Sequence, residues 1–346
     1  MRRMEKKVKA LGGKMKNGKI SEVVLKRSVF KNINAKNRKV VSGVEIAGDC
    51  GVMDEISNKI AMATSGVVDY AKNDAEYYTF YKTFNNLLAK GFRPISLSLN
   101  IIMPEKAKEK QLKEIVKRYD SLCRTHKMEI CTGHTQYSEK VNEIISTVTM
   151  IGEKIDGVCD IIKGGPDVEG RELQIVMTKA IGIEGTAIIS ADREDVLRER
   201  FYGTFCDECL KFKEYISIEK EAIVAGKNGA VFMHDVSGTG VFGAIWEVAS
   251  AFGMGAEVEL RKIPVWQETI EVTEIFDINP YKMASQGALL IVAEDGENIV
   301  EKLEEENVPA VVIGRLVEGN DKVLINQDEK RFLEPPRGDD IYLARE

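Results

Sequence analysis

No apolar run in the 346 residues approaches the ~18 that a membrane-spanning helix needs. Met1 to Lys19 is basic and lacks the apolar centre of a secretory signal. A cytoplasmic location with no membrane partner is therefore expected. There is no basic excess either: 49 Lys and Arg against 55 Asp and Glu leave a net charge of −6, which argues against a general nucleic-acid binder. The basic segment 1–19 reads as a solvated tail or loop. Cysteine is sparse, and Cys50, Cys123, Cys131, Cys159, Cys206 and Cys209 are scattered as reduced thiols would be. Only Cys206 and Cys209 form a CxxC. Without a second pair or a nearby histidine it reads as two thiols on one helix rather than as a metal site. Short internal repeats and low-complexity tracts are absent.

What is present describes an ordinary globular chain, 44% hydrophobic and 30% charged. Its length exceeds one ~150-residue domain and predicts two. The cluster Gly164-Gly165-Pro166 interrupts helix and strand alike, so the junction is expected between Asp156 and Gly170. The divisions are a basic segment 1–19, a first domain 20–160, a second 161–330 and a tail 331–346. That tail is polar, carries Pro335-Pro336 and is expected to be mobile at its end.

The stretch Ala230 to Gly255 organises the second half. Ala230 to Met233 reads as a buried strand ending in His234 and Asp235, and Ser237-Gly238-Thr239-Gly240 reads as a turn. Val241, Ile245, Val248, Ala249 and Phe252 share one helical face ahead of Gly253. The free N–H groups and positive dipole end of such a helix attract anions, and glycine lets backbone approach a phosphate closely. The same pattern also serves turns that bind nothing.

Elsewhere, Gly18 to Phe30 reads as a short helix, and Val40 to Glu45 and Lys59 to Thr64 as strands around Asp49. Tyr77, Phe80, Tyr81, Phe84, Leu87 and Leu88 form an aromatic helical stripe of core or subunit-contact type. Ile95 to Ile102 alternates as a strand, and Leu112 to Leu122 marks a surface helix. Met128 to Cys131 reads as a short strand ending in a turn, Thr132 to Thr135, whose His134 is a catalytic or a hydrogen-bonded structural group. Pro264 opens a helix. Ala288 to Ile325 reads strand, helix, strand, strand, with Glu318 to Asp321 as a hairpin turn. The pattern is an α/β layered one.

In order, these landmarks resemble the aminoimidazole ribonucleotide synthetase (PurM-like) superfamily, which includes selenophosphate synthetase, and within it the HypE-type hydrogenase maturation proteins. Gly48-Asp49-Cys50-Gly51 sits where the family has Gly-Asp-Asp-Ala. FNNLLAKGFRP, Phe84 to Pro94, is similar to its Asn-Asp-Leu-Ala-x-x-Gly-Ala-x-Pro helix. Thr132 to Thr135 is similar to its Thr-Gly-Asp-Thr or Gly-Gly-His-Thr turn. MTKAIGIEGTA, Met177 to Ala187, and His234-Asp235 with the following glycines complete the series.

The resemblance implies an α/β (α+β) fold of two domains: an N-terminal domain whose strands form a barrel in a homodimer, and a C-terminal α/β sandwich. It also implies ATP in the cleft, Mg²⁺ on first-domain acidic residues, and ATP-dependent activation of a small molecule's oxygen, with a maturation protein as partner. Carried over residue by residue, the catalytic candidates are Asp49, His134, His234 and Asp235. The cofactor-binding ones are Asn86, Gly133, Thr135, Gly182, Glu184, Gly185, Ser237, Gly238, Thr239 and Gly240, and Asp49 and Asn86 would hold the metal. Cys50, Asn86 and His134 depart from family aspartates, and the sequence ends Ala344-Arg345-Glu346 where HypE-type proteins carry a cysteine. A non-catalytic assembly protein and a small-alcohol kinase on the same fold are the alternatives.

Overall fold

The computed structural model describes residues 22–24, 26, 40–42, 51–54, 59–158 and 170–345. Asp49, Cys50, the Gly164 to Pro166 cluster and most of the expected helix 18–30 lie outside them.

In the first half a six-stranded sheet runs in the order β1-β2-β3-β6-β4-β5. These strands are β1 (Val40–Ser42), β2 (Gly51–Asp54), β3 (Lys59–Ser65), β4 (Phe92–Met103), β5 (Glu129–Tyr137) and β6 (Ile145–Lys154). Only the β4–β5 pair is parallel. Strand alternation puts Leu97, Leu99, Ile101 and Met103 on one face of β4, buried under helix α1 (Ala75–Leu88). The aromatic stripe of α1 is core: Phe80 and Phe84 stack at 5.6 Å and both are buried. Helix α2 (Glu109–Thr125) buries Ile115, Tyr119 and Cys123 beside α1 and β5.

The second sheet has the order β13-β12-β9-β11-β7-β10-β8. Its strands are β7 (Leu173–Thr178), β8 (Ala230–Asp235), β9 (Gly255–Glu259), β10 (Leu289–Ala293), β11 (Ala310–Val317), β12 (Lys322–Asn326) and β13 (Glu329–Phe332). Six helices accompany it after α2: α3 (Ile183–Asp192), α4 (Glu194–Arg200), α5 (Gly203–Lys211), α6 (Glu219–Lys227), α7 (Gly240–Phe252) and α8 (Gln267–Ile275), and α9 (Gly296–Glu305) follows β10. Val241, Ala244, Ile245 and Val248 of α7 cover one face of the sheet, over Ile175, Phe232, Leu290 and Val292. The other face, with Val176, Met233, Leu289 and Ile291, shares an apolar cluster with Ile188, Ala222, Ile299 and the α1 aromatics. Strand β10 is thus buried on both sides, which is why its sequence, LLIVA, is apolar throughout. Cys206 and Cys209 are free, buried thiols on α5.

Four expectations need correction. The supposed turn Thr132–Thr135 lies inside β5, because parallel pairing with β4 continues from Ser98↔Thr132 to Met103↔Tyr137. Glu318 to Asp321 is not a hairpin turn, since β9 lies between β11 and β12; the hairpin is β12–β13, turning at Gln327 with φ 57°. Pro264 precedes the helix it was expected to open: its carbonyl accepts Ile181 N–H at 2.9 Å, and α8 starts at Gln267. The tail, expected to be polar and solvated, packs three side chains into the body, with Asp339, Ile341 and Ala344 at 7%, 2% and 5% exposure.

Candidate functional site

The two halves meet along the C-terminal part of α1. The Asn85 side chain donates to Ile216 O at 2.9 Å and accepts from Ile218 N at 3.3 Å, satisfying both ends of its amide. Lys90, 1% exposed, donates to Met233 O at 3.1 Å and sits 3.8 Å from the centre of the Phe232 ring. The Asn85 contacts hold the 216–218 segment against α1, and Lys90, just past the helix, holds β8.

There Asn86 meets Asp235. Oriented so that its nitrogen donates, the Asn86 amide reaches Asp235 Oδ1 at 2.9 Å and the Lys82 carbonyl at 3.1 Å. Neighbouring residues of a strand face opposite ways, so His234 points from the other side of β8 toward α7. Its Nε2 lies 2.9 Å from Glu247 Oε2, and the side chain is 3% exposed. Asp235 therefore belongs to the buried junction of the two domains and His234 to the packing beneath α7.

The two glycine turns of the second domain are joined by a loop, Met283 to Gly287, that the sequence did not single out. Gly182 N–H donates to Ser285 Oγ at 2.8 Å, and Gly185 N–H to Ala284 O at 3.0 Å. Glu184, fully buried, accepts from Tyr70 Oη at 2.7 Å, Gln286 Nε2 at 2.9 Å and Gln286 N at 3.2 Å. Burial pushes its carboxyl above the ordinary range, against the opposing influence of Lys82 and these donors. Gly240 has φ 65°, and a Cβ there would run into the Tyr281 carbonyl.

Thr239 is the exceptional residue of the second turn. A β-branched residue at φ 79° is strained, and its Oγ1 is buried with no hydrogen-bond partner. Its N–H faces a carboxylate from the tail: Asp339 Oδ2 lies 3.4 Å away, while Asp339 Oδ1 accepts from Ala284 N at 3.1 Å and Ile341 N at 3.0 Å. The Asp339 carboxyl is pushed up to about 7, chiefly by burial and with Glu184 adding to it, against the opposing N–H groups of Ile341, Ala284 and Thr239. Ser237 and Gly238 are half-buried beside it.

Gly133, His134 and Thr135 lie on the exposed edge strand β5, where His134 Nε2 is 3.0 Å from Gln136 Oε1. Among the described residues no hydrogen bond or ion pair joins them to Asn86 or to the second domain. No three His, Cys, Asp or Glu side chains converge as a metal site among the described residues, and Asp49 lies outside them. The N–H of Thr239 in the turn already faces one oxygen of the Asp339 carboxyl. Ala284 and Asp339 escaped the sequence reading; the only signal was an acidic pair, Asp339-Asp340, in the tail.

Family models of the AIR synthase related protein match both halves, the N-terminal domain at residues 47–154 and the C-terminal domain at 171–326. The chain belongs to the AIR synthase-related family. This AIR synthase-related protein is similar to hydrogenase expression/formation and HypE proteins. It is 25% identical over 337 residues to a putative hydrogenase expression/formation protein of Methanocaldococcus jannaschii, covering 94% of this chain and 96% of that one. A carbamoyl dehydratase HypE of Azotobacter vinelandii is 24% identical over 297 residues, covering 80% and 78%. Among solved structures, a HypE–HypF complex superposes with TM-score 0.68 at 18% identity, covering 90% of this chain and 99% of that chain. HypE in complex with ATP gives TM-score 0.62 at 17% identity, covering 93% and 98%. These last two establish the two-domain fold.

Proposed function

We propose that this protein is a HypE-like, ATP-dependent enzyme that activates an oxygen of a small-molecule substrate by phosphoryl transfer. The observation that carries the reading is the end-to-end match to a hydrogenase expression/formation protein, 94% of this chain against 96% of that one. A solved HypE neighbour binds ATP, and another is complexed with HypF. ATP, a maturation-protein partner, a homodimeric assembly and a cytoplasmic setting follow as parts of the proposal. Among the described residues no helix is long and apolar enough to cross a membrane.

ATP, when bound, supplies the phosphoryl group. In this reading Asp235, fixed by Asn86, orients the substrate oxygen or its counter-ion from the second-domain side of the cleft. The turn Ser237 to Gly240 receives anionic oxygens on its N–H groups. Gly182, Glu184 and Gly185 hold the loop Met283 to Gly287 against that turn. Mg²⁺ would draw on Asp49 and Asn86, a carboxylate and a neutral oxygen suited to a hard cation. Gly133, His134 and Thr135 would join the cleft from the edge strand, completed by the second protomer. His234 steadies the strand end through Glu247 rather than contacting phosphate.

A non-catalytic assembly protein is the second reading, favoured by Cys50, Asn86 and His134 in place of family aspartates. Calorimetric titration with ATP and a non-hydrolysable analogue, with and without Mg²⁺, separates the two. Magnesium-dependent binding that Asp49→Ala loses supports the enzyme. Absence of binding at millimolar nucleotide leaves the assembly protein.

A further inference from the structure

A cavity of about 910 Å³ opens among the end of α5, the single 3₁₀ turn Phe212–Tyr215 that follows it, the start of α8 and the loop 307–309. That volume is in the range of small-molecule sites. The cavity shares no lining residue with the junction at Asn86 and Asp235 or with the turn Ser237 to Gly240. Two short stretches furnish its aromatic corner: Phe212 and Tyr215 from one, Trp266 from the other. The Phe212 and Tyr215 rings stand at 78° and 76° to the Trp266 ring, with centroids 4.8 and 5.4 Å from it. Phe212 is buried and anchors the corner, while Tyr215 is 48% exposed and Trp266 half-buried, so solvent reaches it.

The charges of the lining decide what the corner prefers. Lys211 is held by Glu208 at 2.6 Å, although it also feels the Glu214 charge. Lys220 donates to the Glu306 carbonyl at 2.8 Å, and Lys179 spends its N–H groups on Glu221, Tyr215 O and Ser217 O. Every lysine of the wall is thus committed. Glu219 in turn faces Arg93 at 3.6 Å and His126 at 3.8 Å. Glu214 and Glu268 are left over: among the described residues neither carboxylate accepts a hydrogen bond or forms an ion pair. Each follows an aromatic of the corner by two positions, Glu214 after Phe212 and Glu268 after Trp266. An aromatic corner flanked by two uncommitted carboxylates favours a cation over an anion. It also favours a weakly hydrated, planar cation over a compact ammonium, which at an open site keeps its water.

We infer that this cavity is a binding site for an alkylguanidinium cation, with the planar group against Trp266 and its N–H groups shared by Glu214 and Glu268. A guanidinium meets both demands, since its face stacks on an aromatic ring and its fork of donors matches carboxylate oxygens. The group can belong to a free small molecule or to an arginine residue of a peptide, and the cavity has room for either. The inference goes beyond the nucleotide reading and stands whether or not ATP binds at the junction of the two domains.

The test uses the full chain without nucleotide or Mg²⁺ and two probes of one shape, ethylguanidinium chloride and uncharged ethylurea, with sodium chloride at equal ionic strength as control. Affinities are measured by calorimetry. Tryptophan emission gives a second readout, because the chain has two tryptophans and Trp246→Phe leaves Trp266 as the only reporter. Ethylguanidinium is expected to bind saturably and to shift the Trp266 emission, with ethylurea at least tenfold weaker. The double variant Glu214→Gln with Glu268→Gln is expected to weaken the cation about tenfold, and Tyr215→Ala about threefold. Equal affinity for the two probes overturns the proposal, as does no saturation in the millimolar range or a double variant that binds as wild type does. The comparison of probes on wild type needs no variant, so it decides the matter even if a variant fails to fold. Nα-acetyl-arginine amide then separates the sources: binding tenfold tighter than that of ethylguanidinium supports the site with a peptide arginine as its occupant, and equal or weaker binding supports it with a free small molecule.

Discussion

The side chains of Asn86 and Asp235, 149 positions apart in the sequence, meet at 2.9 Å across the junction of the two domains. Asp235 is 1% exposed, so its carboxylate is desolvated and held to one orientation. A group fixed in this way can orient a reacting oxygen without reorganising when charge develops. Asp235→Asn keeps the shape and removes the charge. ATP-dependent turnover is expected to fall tenfold or more, while stability changes by about 1 kcal/mol. Unimpaired turnover in a folded Asp235→Asn protein would remove Asp235 from the proposed chemistry.

Asp339 gives a pH dependence whose sign is fixed. Its folded-state value of about 7 lies above the ordinary 3.8, with burial the largest cause. Folding therefore favours the protonated form; this contribution is complete below about pH 3.8 and is lost as pH rises through about 7. Relative to Asp339→Asn, the wild type is expected to lose about 2–4 kcal/mol of unfolding free energy between pH 4 and pH 8. Urea unfolding of both proteins across that range measures it. Parallel pH curves would mean that the tail carboxyl keeps its usual range.

The strained turn sets a limit on substitution at Gly240. Its φ of 65° disfavours any side chain, and the Tyr281 carbonyl fills the space a Cβ would need. Gly240→Ala is expected to cost about 2–4 kcal/mol, combining backbone strain with a shift of the 281–284 loop. Chemical denaturation reports the loss. Gly253→Ala is the control: φ is 66° but no atom lies within 4 Å, so only the strain remains, about 1 kcal/mol.

These positions also mark how far the sequence could be read. The turn before α7, the buried strand β10 and the aromatic stripe of α1 are local patterns, with periods of 3.6 and 2 that chain neighbours alone determine. Asp235 and the glycine turns were legible for the same reason. The opposite facing of His234 was available in principle from the strand period, yet adjacency in a motif suggested a shared role. Asp339 was not legible: its partners Thr239 and Ala284 lie 100 and 55 positions away, and a polar, proline-containing end resembles a solvated one. The insertion of β9 between β11 and β12 escaped likewise, since a tight-looking turn does not reveal that its strands are parted by a third.

Beyond the cleft, Lys179 and Glu221 form a nearly dry ion pair, 2.6 Å apart with side chains 9% and 4% exposed. Lys179 also donates to Tyr215 O and Ser217 O, both at 2.8 Å, so its three N–H groups are all used. Burial pulls the Lys179 value below its usual range and Glu221 opposes that. Removing one partner strands the other charge, whereas removing both leaves apolar packing in their place. Lys179→Met is therefore expected to cost about 3–5 kcal/mol, and the double variant Lys179→Met with Glu221→Leu is expected to recover much of it. A double-mutant cycle in urea measures the coupling directly. Additive losses would show that the pair is not desolvated in solution and that the two carbonyl contacts, rather than the carboxylate, hold Lys179 in place.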